Sequence, residues 1–190
     1  MQTLILASTS PYRRALLQRL GVPFEVIRPA TPEDYLDGEL PPDRALRLSL
    51  AKAQAVASLR PDAVVIGSDQ VAAAGSRILD KPGTAAHCRE QLAVLSSTTA
   101  RFLTGCAVVG NGQRSVHLDT TSVTFRPLTA REIERYVEKE KPFDCAGGFK
   151  AEGLGITLFE SIESVDPTAL IGLPLIWLAN ALREVGYSLP

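Results

Sequence analysis

The N-terminal twenty residues restrict the fold more than any other stretch, because an apolar run leads almost directly into a helix start. Residues 3–7 are apolar after Thr3, which predicts a buried strand. Ser10 is a natural N-cap, Pro11 suits the first helical position, and Gly21 suits the C-terminal end of the helix. A strand that feeds straight into a helix is typical of α/β proteins.

Similar signals predict the remaining elements. Asn111-Gly112 is a strong hairpin signal, Thr84 can cap the helix that follows it, and Thr129-Ala130-Arg131-Glu132 is a capping box. Further strands are predicted near residues 24–28, 63–67, 70–74, 101–109, 115–125 and 156–161, and further helices near 43–59, 84–95, 130–141 and 173–185. Strands and helices alternate early and a hairpin dominates the middle. This order predicts an α/β fold with a mixed, twisted β-sheet flanked by helices, with two lobes around a cleft.

Composition excludes several function classes. The chain has 190 residues, 45% hydrophobic and 22% charged, which is the composition of an ordinary globular protein. Twenty Lys and Arg against 21 Asp and Glu give a formal net charge of −1, and aromatic residues make up 6%. These values argue against a nucleic-acid-binding module or a protein that binds anionic membranes. No stretch approaches the ~20 apolar residues of a membrane span.

Cysteine and histidine usage argues against metal-thiolate and triad chemistry. Three widely spaced cysteines and two histidines form no zinc-ligand spacing and no disulfide framework. They form no plausible triad with a serine either, so a nucleophilic hydrolase is not expected. The N-terminus lacks the pattern of a signal peptide. We therefore expect a protein of the reducing cytoplasm.

Two arginines follow the predicted helix start and raise an electrostatic question. Arg13 and Arg14 fall in the first turn, where backbone N–H groups already carry partial positive charge. An anion bound there would offset them, with the hydroxyl groups of Ser8 and Ser10 as further ligands. The alternative is that Ser10 only caps the helix while the arginines reach solvent or pair with acidic residues. The absence of a G-x-x-x-x-G-K-[ST] pattern excludes a Walker A loop.

Other charged residues also have two interpretations. Asp69 follows an apolar run at the end of a predicted strand, where it could bind Mg²⁺ or accept a proton from water, or simply bond to its own turn. Lys52 interrupts the apolar stripe of a helix and either reaches outward or binds phosphate. Lys81 has the same ambiguity, and Glu33 by itself indicates only a solvated charge. Gly67 would permit a ligand or a neighbouring chain segment to approach closely.

Six segments together resemble the Maf-like nucleotide pyrophosphatase family. They are LILASTSPYRRALL, LAKAQAVA, VVIGSDQV, DKP, CAGGFKAEGLGITLF and DPTALIGLPL, in this order between residues 4 and 175. The resemblance implies one Maf-like domain over residues 1–190, with a fold similar to that of the inosine triphosphatases. It also implies that a divalent cation (Mg²⁺, Mn²⁺ or Co²⁺) assists hydrolysis of nucleoside triphosphates to monophosphate and diphosphate, which keeps modified nucleotides out of nucleic acids.

The resemblance assigns roles to particular residues. Asp69 matches the family's proton acceptor, and Glu33 is implied as a further metal or water ligand beside it. The remaining polar residues of the family's cleft would bind phosphate oxygens. They match Ser8, Ser10, Arg13, Arg14, Lys52 and Lys81. A homodimer is implied by resemblance alone.

Three positions suggest which base is bound. Tyr12, Gln70 and Glu152 resemble the branch that acts on 7-methyl-GTP, although tyrosine stands where that branch has tryptophan. N7-methylated guanine is cationic and would stack favourably on an aromatic ring, while a carboxylate accepts from the N1–H and amino group of guanine. The alternatives are a dTTP/UTP pyrophosphatase of the same family and a non-catalytic nucleotide-binding regulator of cell division.

Overall fold

The computed structural model describes residues 2–190. The chain separates into two units, each assembled from non-contiguous segments: residues 1–70, 104–119 and 166–190 in the first, and residues 71–103 and 120–165 in the second. The strands are β1 (Leu4–Ala7), β2 (Glu25–Ile27), β3 (Val64–Ala74), β4 (Arg77–Leu79), β5 (Thr99–Gly110), β6 (Gln113–Phe125) and β7 (Phe159–Glu163). The α-helices are α1 (Pro11–Gln18), α2 (Pro41–Ala57), α3 (Ala85–Leu95), α4 (Ala130–Glu140) and α5 (Leu175–Glu184).

The first unit contains three neighbouring parallel strands, and the central one, β1, is buried on both faces. Its strand order is β2-β1-β3-β5-β6, and β1 runs parallel to both β2 and β3. Leu4 and Leu6 pack on one face with α1 and α5, while Ile5 and Ala7 pack on the other face with α2. All four residues of β1 are therefore buried, as expected for a parallel strand covered by helices on both sides.

Helix α2 lies unusually close to the sheet because two strand positions are glycine. A Cβ atom at Gly67 would lie 2.2 Å from the carbonyl oxygen of Ser49, and one at Gly105 would lie 2.3 Å from that of Ala45. The predicted close approach at Gly67 is thus confirmed, and the approaching segment is helix α2. This contact sets the height of α2 above β3 and hence the reach of its side chains toward that strand.

The second unit contains the helix pair α3 and α4 and a cluster of phenylalanines. Strand β4 is antiparallel to the end of β3, and β7 is antiparallel to the end of β6. The Phe149 ring packs edge-to-face against three other rings at centroid distances of 4.9–5.4 Å, those of Phe102, Phe125 and Phe159. Such edge-to-face contacts stabilise a core beyond the area they bury.

The predicted capping and turn signals are confirmed. Ser10 accepts a hydrogen bond from the Arg13 N–H, and Thr84 caps α3. The Thr129 capping box of α4 has both of its hydrogen bonds. Asn111 and Gly112 both adopt positive φ, of 54° and 69°, as the tight turn between β5 and β6 requires.

Two predictions of strand position are wrong. The strand expected near residues 156–161 is displaced, because Leu154–Leu158 forms a 3₁₀ turn and β7 begins only at Phe159. Gly155 packs against the Lys150 carbonyl in this turn, a contact that the apolar pattern does not indicate. Asp69 was expected at the end of a strand, but β3 continues from Val64 through Asp69 to Ala74.

The predicted boundaries of α2 lie about two residues too far toward the C-terminus. The helix begins at Pro41 rather than near residue 43 and ends at Ala57, so Leu59 lies beyond it and is 74% exposed. Leu59 therefore lies outside the apolar face of α2. No helix within residues 2–190 combines the length and apolar character needed to cross a bilayer.

The close approach at Gly67 predicts a large cost for an added methyl group. We expect Gly67→Ala to lower the free energy of unfolding in urea by about 3 kcal/mol, because the new Cβ meets helix backbone that cannot move aside independently. Gly112→Ala is the control: its Cβ meets nothing within 4 Å, so only its positive φ is strained, at about 1–2 kcal/mol. Equal losses in the two variants would contradict the steric explanation.

Candidate active site

A buried lysine between two carboxylates forms the centre of the site. Lys52 Nζ lies 2.6 Å from Asp69 Oδ1 and 2.7 Å from Glu33 Oε1. Lys52 is 7% exposed and Asp69 8%, whereas the Glu33 side chain is largely exposed. Lys52 therefore does not reach outward from α2, and Asp69 does not bond to its own turn. Both simpler interpretations are excluded by these contacts.

The sheet explains why Asp69 is available although it lies within a strand. The parallel pairing of β1 with β3 ends where Ala7 pairs with Gly67. Asp69 thus lies two residues beyond the carboxyl end of β1, at the edge of the parallel part of the sheet. Ligands in α/β proteins bind at this edge. The close contact between α2 and Gly67 brings Lys52 within reach of the Asp69 carboxylate.

An arginine that the sequence analysis missed orders the loop that carries Glu33. Arg44 donates hydrogen bonds to the carbonyl oxygens of Glu33 and Asp34, at 2.6 and 2.9 Å. Its guanidinium carbon also lies 3.7 Å from the centre of the Tyr35 ring. Arg44 is buried near the start of α2, so it fixes the loop backbone relative to the helix that carries Lys52. The sequence signal that could have revealed Arg44 is its place on the buried face of a helix that directly follows a polar loop.

The helix α1 arginines point to different surroundings. Arg13 Nε donates to the carbonyl oxygen of Gly172 at 2.9 Å. Burial lowers the pKa of the Arg13 guanidinium, while the negative charges of Asp69 and Glu33 act to raise it. An arginine with these neighbours stays protonated. Asp69 and Glu33 thus partly offset the positive charge that Arg13 adds to the helix start.

Arg14 and the two serines occupy the rest of the helix start. Arg14 is exposed and lines a surface pocket with Gln18, Val22 and Phe24. The Ser10 N–H donates to Oγ of Ser8, which is buried, at 3.2 Å. Ser10 in turn caps α1, so the capping interpretation holds for its oxygen lone pair. Its hydroxyl proton remains a potential donor to an anion.

Two residues expected to recognise the base also lie in the first unit. Tyr12 is half-buried on the first turn of α1. Gln70 Nε2 lies 3.0 Å from each of three acceptors, Thr104 Oγ1 and the carbonyl oxygens of Ala169 and Leu170. An amide group has two N–H donors, so both are engaged by these acceptors. Gln70 can therefore offer a base only its amide oxygen.

The remaining two expected residues lie in the second unit. Lys81 is exposed in the loop between β4 and α3. Glu152 is exposed in a glycine-rich loop that is hydrogen-bonded to α4 both before and after Glu152. The Lys150 N–H donates to Tyr136 Oη at 3.0 Å, and the Leu154 N–H donates to Glu140 Oε2 at 2.7 Å. The loop that carries Glu152 is thus anchored to a helix.

The carboxylates fit a divalent cation that also binds phosphate. Within residues 2–190 no group of three or more His, Cys, Asp or Glu side chains is arranged to hold a metal ion. Mg²⁺ commonly binds through one or two carboxylates and takes further oxygens from substrate phosphates and water. Asp69 and Glu33, both within hydrogen-bond distance of one ammonium group, supply such a pair.

Comparison with solved structures supports the fold. The Staphylococcus aureus Ham1 protein superposes with a TM-score of 0.52 at 15% sequence identity, covering 98% of this chain and all of that one. At this identity the likeness concerns the fold alone. It agrees with the observed mixed sheet flanked by helices.

Comparison of sequences identifies the family. A protein of Xanthomonas axonopodis pv. citri named 7-methyl-GTP pyrophosphatase is 52% identical over 190 residues, with both chains fully covered. A protein of the same name from Aromatoleum aromaticum is 53% identical, covering 98% of this chain and 97% of the relative. The family model described as "Maf-like protein" matches residues 3–185, which include every residue of the site described above. The chain therefore belongs to the Maf-like protein family.

Proposed function

We propose that this protein hydrolyses 7-methyl-GTP to 7-methyl-GMP and diphosphate. The observation that carries the proposal is the buried Lys52 ammonium held between Asp69 and Glu33, two carboxylates whose negative charges also act on the Arg13 guanidinium. A carboxylate that can take a proton, surrounded by cations that can bind an anion, suits attack of water on a phosphoanhydride. The names of the full-length relatives support the same reaction.

Asp69 is the proton acceptor in this proposal. Water attacks phosphorus at the α–β anhydride, the bridging P–O bond breaks, and diphosphate leaves. The water proton passes to the Asp69 carboxylate and then to solvent. Lys52 holds Asp69 Oδ1 at 2.6 Å and so fixes the position of the base. Such a positioned base contributes about 10²–10⁴-fold to the rate.

The cations bind the phosphate oxygens. Lys52 has three N–H donors, of which two are directed to Asp69 and Glu33, so the third is left for a phosphate oxygen. Arg13 binds through its terminal nitrogens. Ser8, Ser10, Arg14 and Lys81 are further phosphate ligands in this proposal.

A divalent cation would be held by Asp69 and Glu33 together with phosphate oxygens. When bound, it would neutralise charge on the triphosphate and lower the pKa of water. Mg²⁺, Mn²⁺ and Co²⁺ all accept oxygen ligands of this kind. Removal of the cation with a chelator is therefore expected to abolish turnover.

The base is selected by stacking and by hydrogen bonding. Tyr12 would stack on the cationic methylated ring. Glu152 would accept from the N1–H and amino group of guanine, and the Gln70 amide oxygen adds a further acceptor. Uracil and thymine present a single ring N–H between two carbonyls, so a carboxylate would repel them.

A panel of nucleoside triphosphates tests the proposal directly. With Mg²⁺, Mn²⁺ or Co²⁺, we expect diphosphate release with kcat/KM highest for 7-methyl-GTP and at least about tenfold lower for UTP and dTTP, since a well-placed bidentate pair discriminates by about 1–3 kcal/mol. Glu152→Gln should reduce this preference while leaving turnover of UTP similar or higher.

The outcomes separate the alternatives. Equal or faster turnover of UTP or dTTP would assign the chain to pyrimidine triphosphates instead. Nucleotide binding without diphosphate release under any of the three metals would favour a non-catalytic regulator.

A further inference from the structure

The position of the Arg13 guanidinium depends on a backbone carbonyl of a distant turn. Arg13 Nε donates to Gly172 O at 2.9 Å, across 159 residues of sequence. Because a guanidinium group is planar, a bond at Nε fixes the direction of its two terminal nitrogens, which carry four N–H donors. Gly172 has a φ of +118°, and a Cβ there would lie 3.3 Å from Arg13 Nε. The turn and the arginine are therefore fitted to each other.

Three polar side chains hold this turn, which consists of the 3₁₀ segment Ala169–Ile171 and Gly172. Gln70 Nε2 donates to the carbonyls of Ala169 and Leu170. Thr104 Oγ1 donates to Ala169 O at 2.9 Å. Ser68 Oγ lies 2.8 Å from Gly172 O, the same oxygen that accepts from Arg13. We call Ser68, Gln70 and Thr104 the clamp residues.

The clamp residues form one connected set on two neighbouring strands. Thr104 Oγ1, which donates to the turn, also lies 3.0 Å from Gln70 Nε2. Ser68 also lies 2.9 Å from the carbonyl oxygen of Gly105 on β5. Ser68 and Thr104 are both fully buried. Buried carbonyl groups that lose such donors are costly, so the clamp fixes the turn firmly.

If the clamp residues only stabilised the fold, the turn that they hold would not need to contact a residue of the candidate active site. Here the turn ends on the atom that orients Arg13, and Ser68 and Gln70 flank Asp69 on β3. The same strand segment thus carries Asp69, the proposed proton acceptor, and positions Arg13, a proposed phosphate ligand.

We propose that Ser68, Gln70 and Thr104 are positioning residues for phosphate binding, acting through the Gly172 carbonyl on Arg13. The proposal rests on the proposed function only in that Arg13 binds the triphosphate. Loss of the clamp weakens binding of the phosphate chain whichever base is attached. The measurement that isolates this effect is therefore the affinity for a phosphate chain that carries no nucleobase.

Thr104 offers the sharpest test because valine keeps the shape of the side chain without its hydroxyl, whereas serine keeps the hydroxyl without the methyl group. Thr104→Val removes the hydroxyl, and Thr104→Ser keeps it. Inorganic tripolyphosphate binding is measured by calorimetry for the full chain, in wild-type and Arg13→Ala backgrounds. Thr99→Val is the matched control, a threonine of the same strand whose hydroxyl is bonded to that of Thr124.

We expect Thr104→Val to weaken tripolyphosphate binding about tenfold, with Thr104→Ser and Thr99→Val within about twofold of wild type. In the Arg13→Ala background, Thr104→Val should cause no further loss, because the group it positions is gone. In turnover assays, Thr104→Val should lower kcat/KM by the same factor for 7-methyl-GTP, GTP and UTP. If Thr104→Val does not fold, as judged by circular dichroism, Ser68→Ala takes its place in the same scheme.

Three results would overturn the proposal: an equal loss in both backgrounds, a change in the ratio of kcat/KM values between bases, or no loss in a folded variant. Failure of the proposed function looks different. In that case wild type itself neither binds tripolyphosphate nor releases diphosphate from any nucleotide.

Discussion

Asp69→Asn is expected to lower kcat for diphosphate release by about 10²–10⁴-fold while the protein stays folded. The amide keeps the size of the side chain and can still receive a hydrogen bond from Lys52, which lies 2.6 Å from Asp69 Oδ1. It cannot take a proton from the attacking water. The measurement is diphosphate release from 7-methyl-GTP at saturating substrate, with circular dichroism as the check on folding.

Asp119→Asn is a matched control for this substitution. Asp119 is another buried carboxylate of the first unit, and its pKa is raised by burial and by the nearby negative charge of Asp166. It has no place in the proposed chemistry, so its amide variant should turn over at the wild-type rate. If Asp69→Asn retained more than about a tenth of the wild-type kcat, Asp69 would not be the proton acceptor.

Lys52→Met is expected to damage both stability and turnover. Methionine fills a similar volume but leaves the buried Asp69 carboxylate without its cation, and breaking a buried pair in this way costs about 3–5 kcal/mol. Urea unfolding measures the stability loss. Diphosphate release should fall in parallel, because the variant also lacks a phosphate ligand.

A double variant separates these two effects. In Lys52→Met with Asp69→Asn the uncompensated carboxylate is removed, so most of the lost stability should return. Turnover should not return, since the Asp69 carboxylate that accepts the proton is absent. Stability losses that simply added in the double variant would show that the 2.6 Å pair is not energetically coupled. Lys52→Arg is the control that keeps the charge.

Local signals in the sequence were sufficient to predict most elements of the fold. Ser10, Thr84 and Thr129 cap the helices that they were expected to cap, because a capping hydroxyl bonds to N–H groups only two or three residues away. The Asn111-Gly112 turn is equally local. The strand expected near residues 156–161 failed because its position depends on a glycine packed against the Lys150 carbonyl rather than on alternation of apolar residues.

The site was predictable as a set of residues and not as an arrangement. Asp69, Lys52 and Arg13 were each marked by charge in an apolar or helix-start setting, yet each also had a simpler interpretation. The contacts that decide between them join residues 17 or more positions apart in sequence, such as Lys52 with Asp69. Glu33 gave no signal by itself, because the loop that carries it is ordered by Arg44 from a different element.

By itself the sequence determined the family, the α/β class, the caps and the chemical inventory of the site. The tertiary structure alone decided that Lys52 is buried between two carboxylates and that Arg13 is oriented by the Gly172 carbonyl. The physical reason is that residue type fixes what a side chain can donate or accept, whereas burial and partners are fixed by packing. Here the close approach of α2 at Gly67 and Gly105 supplies that packing.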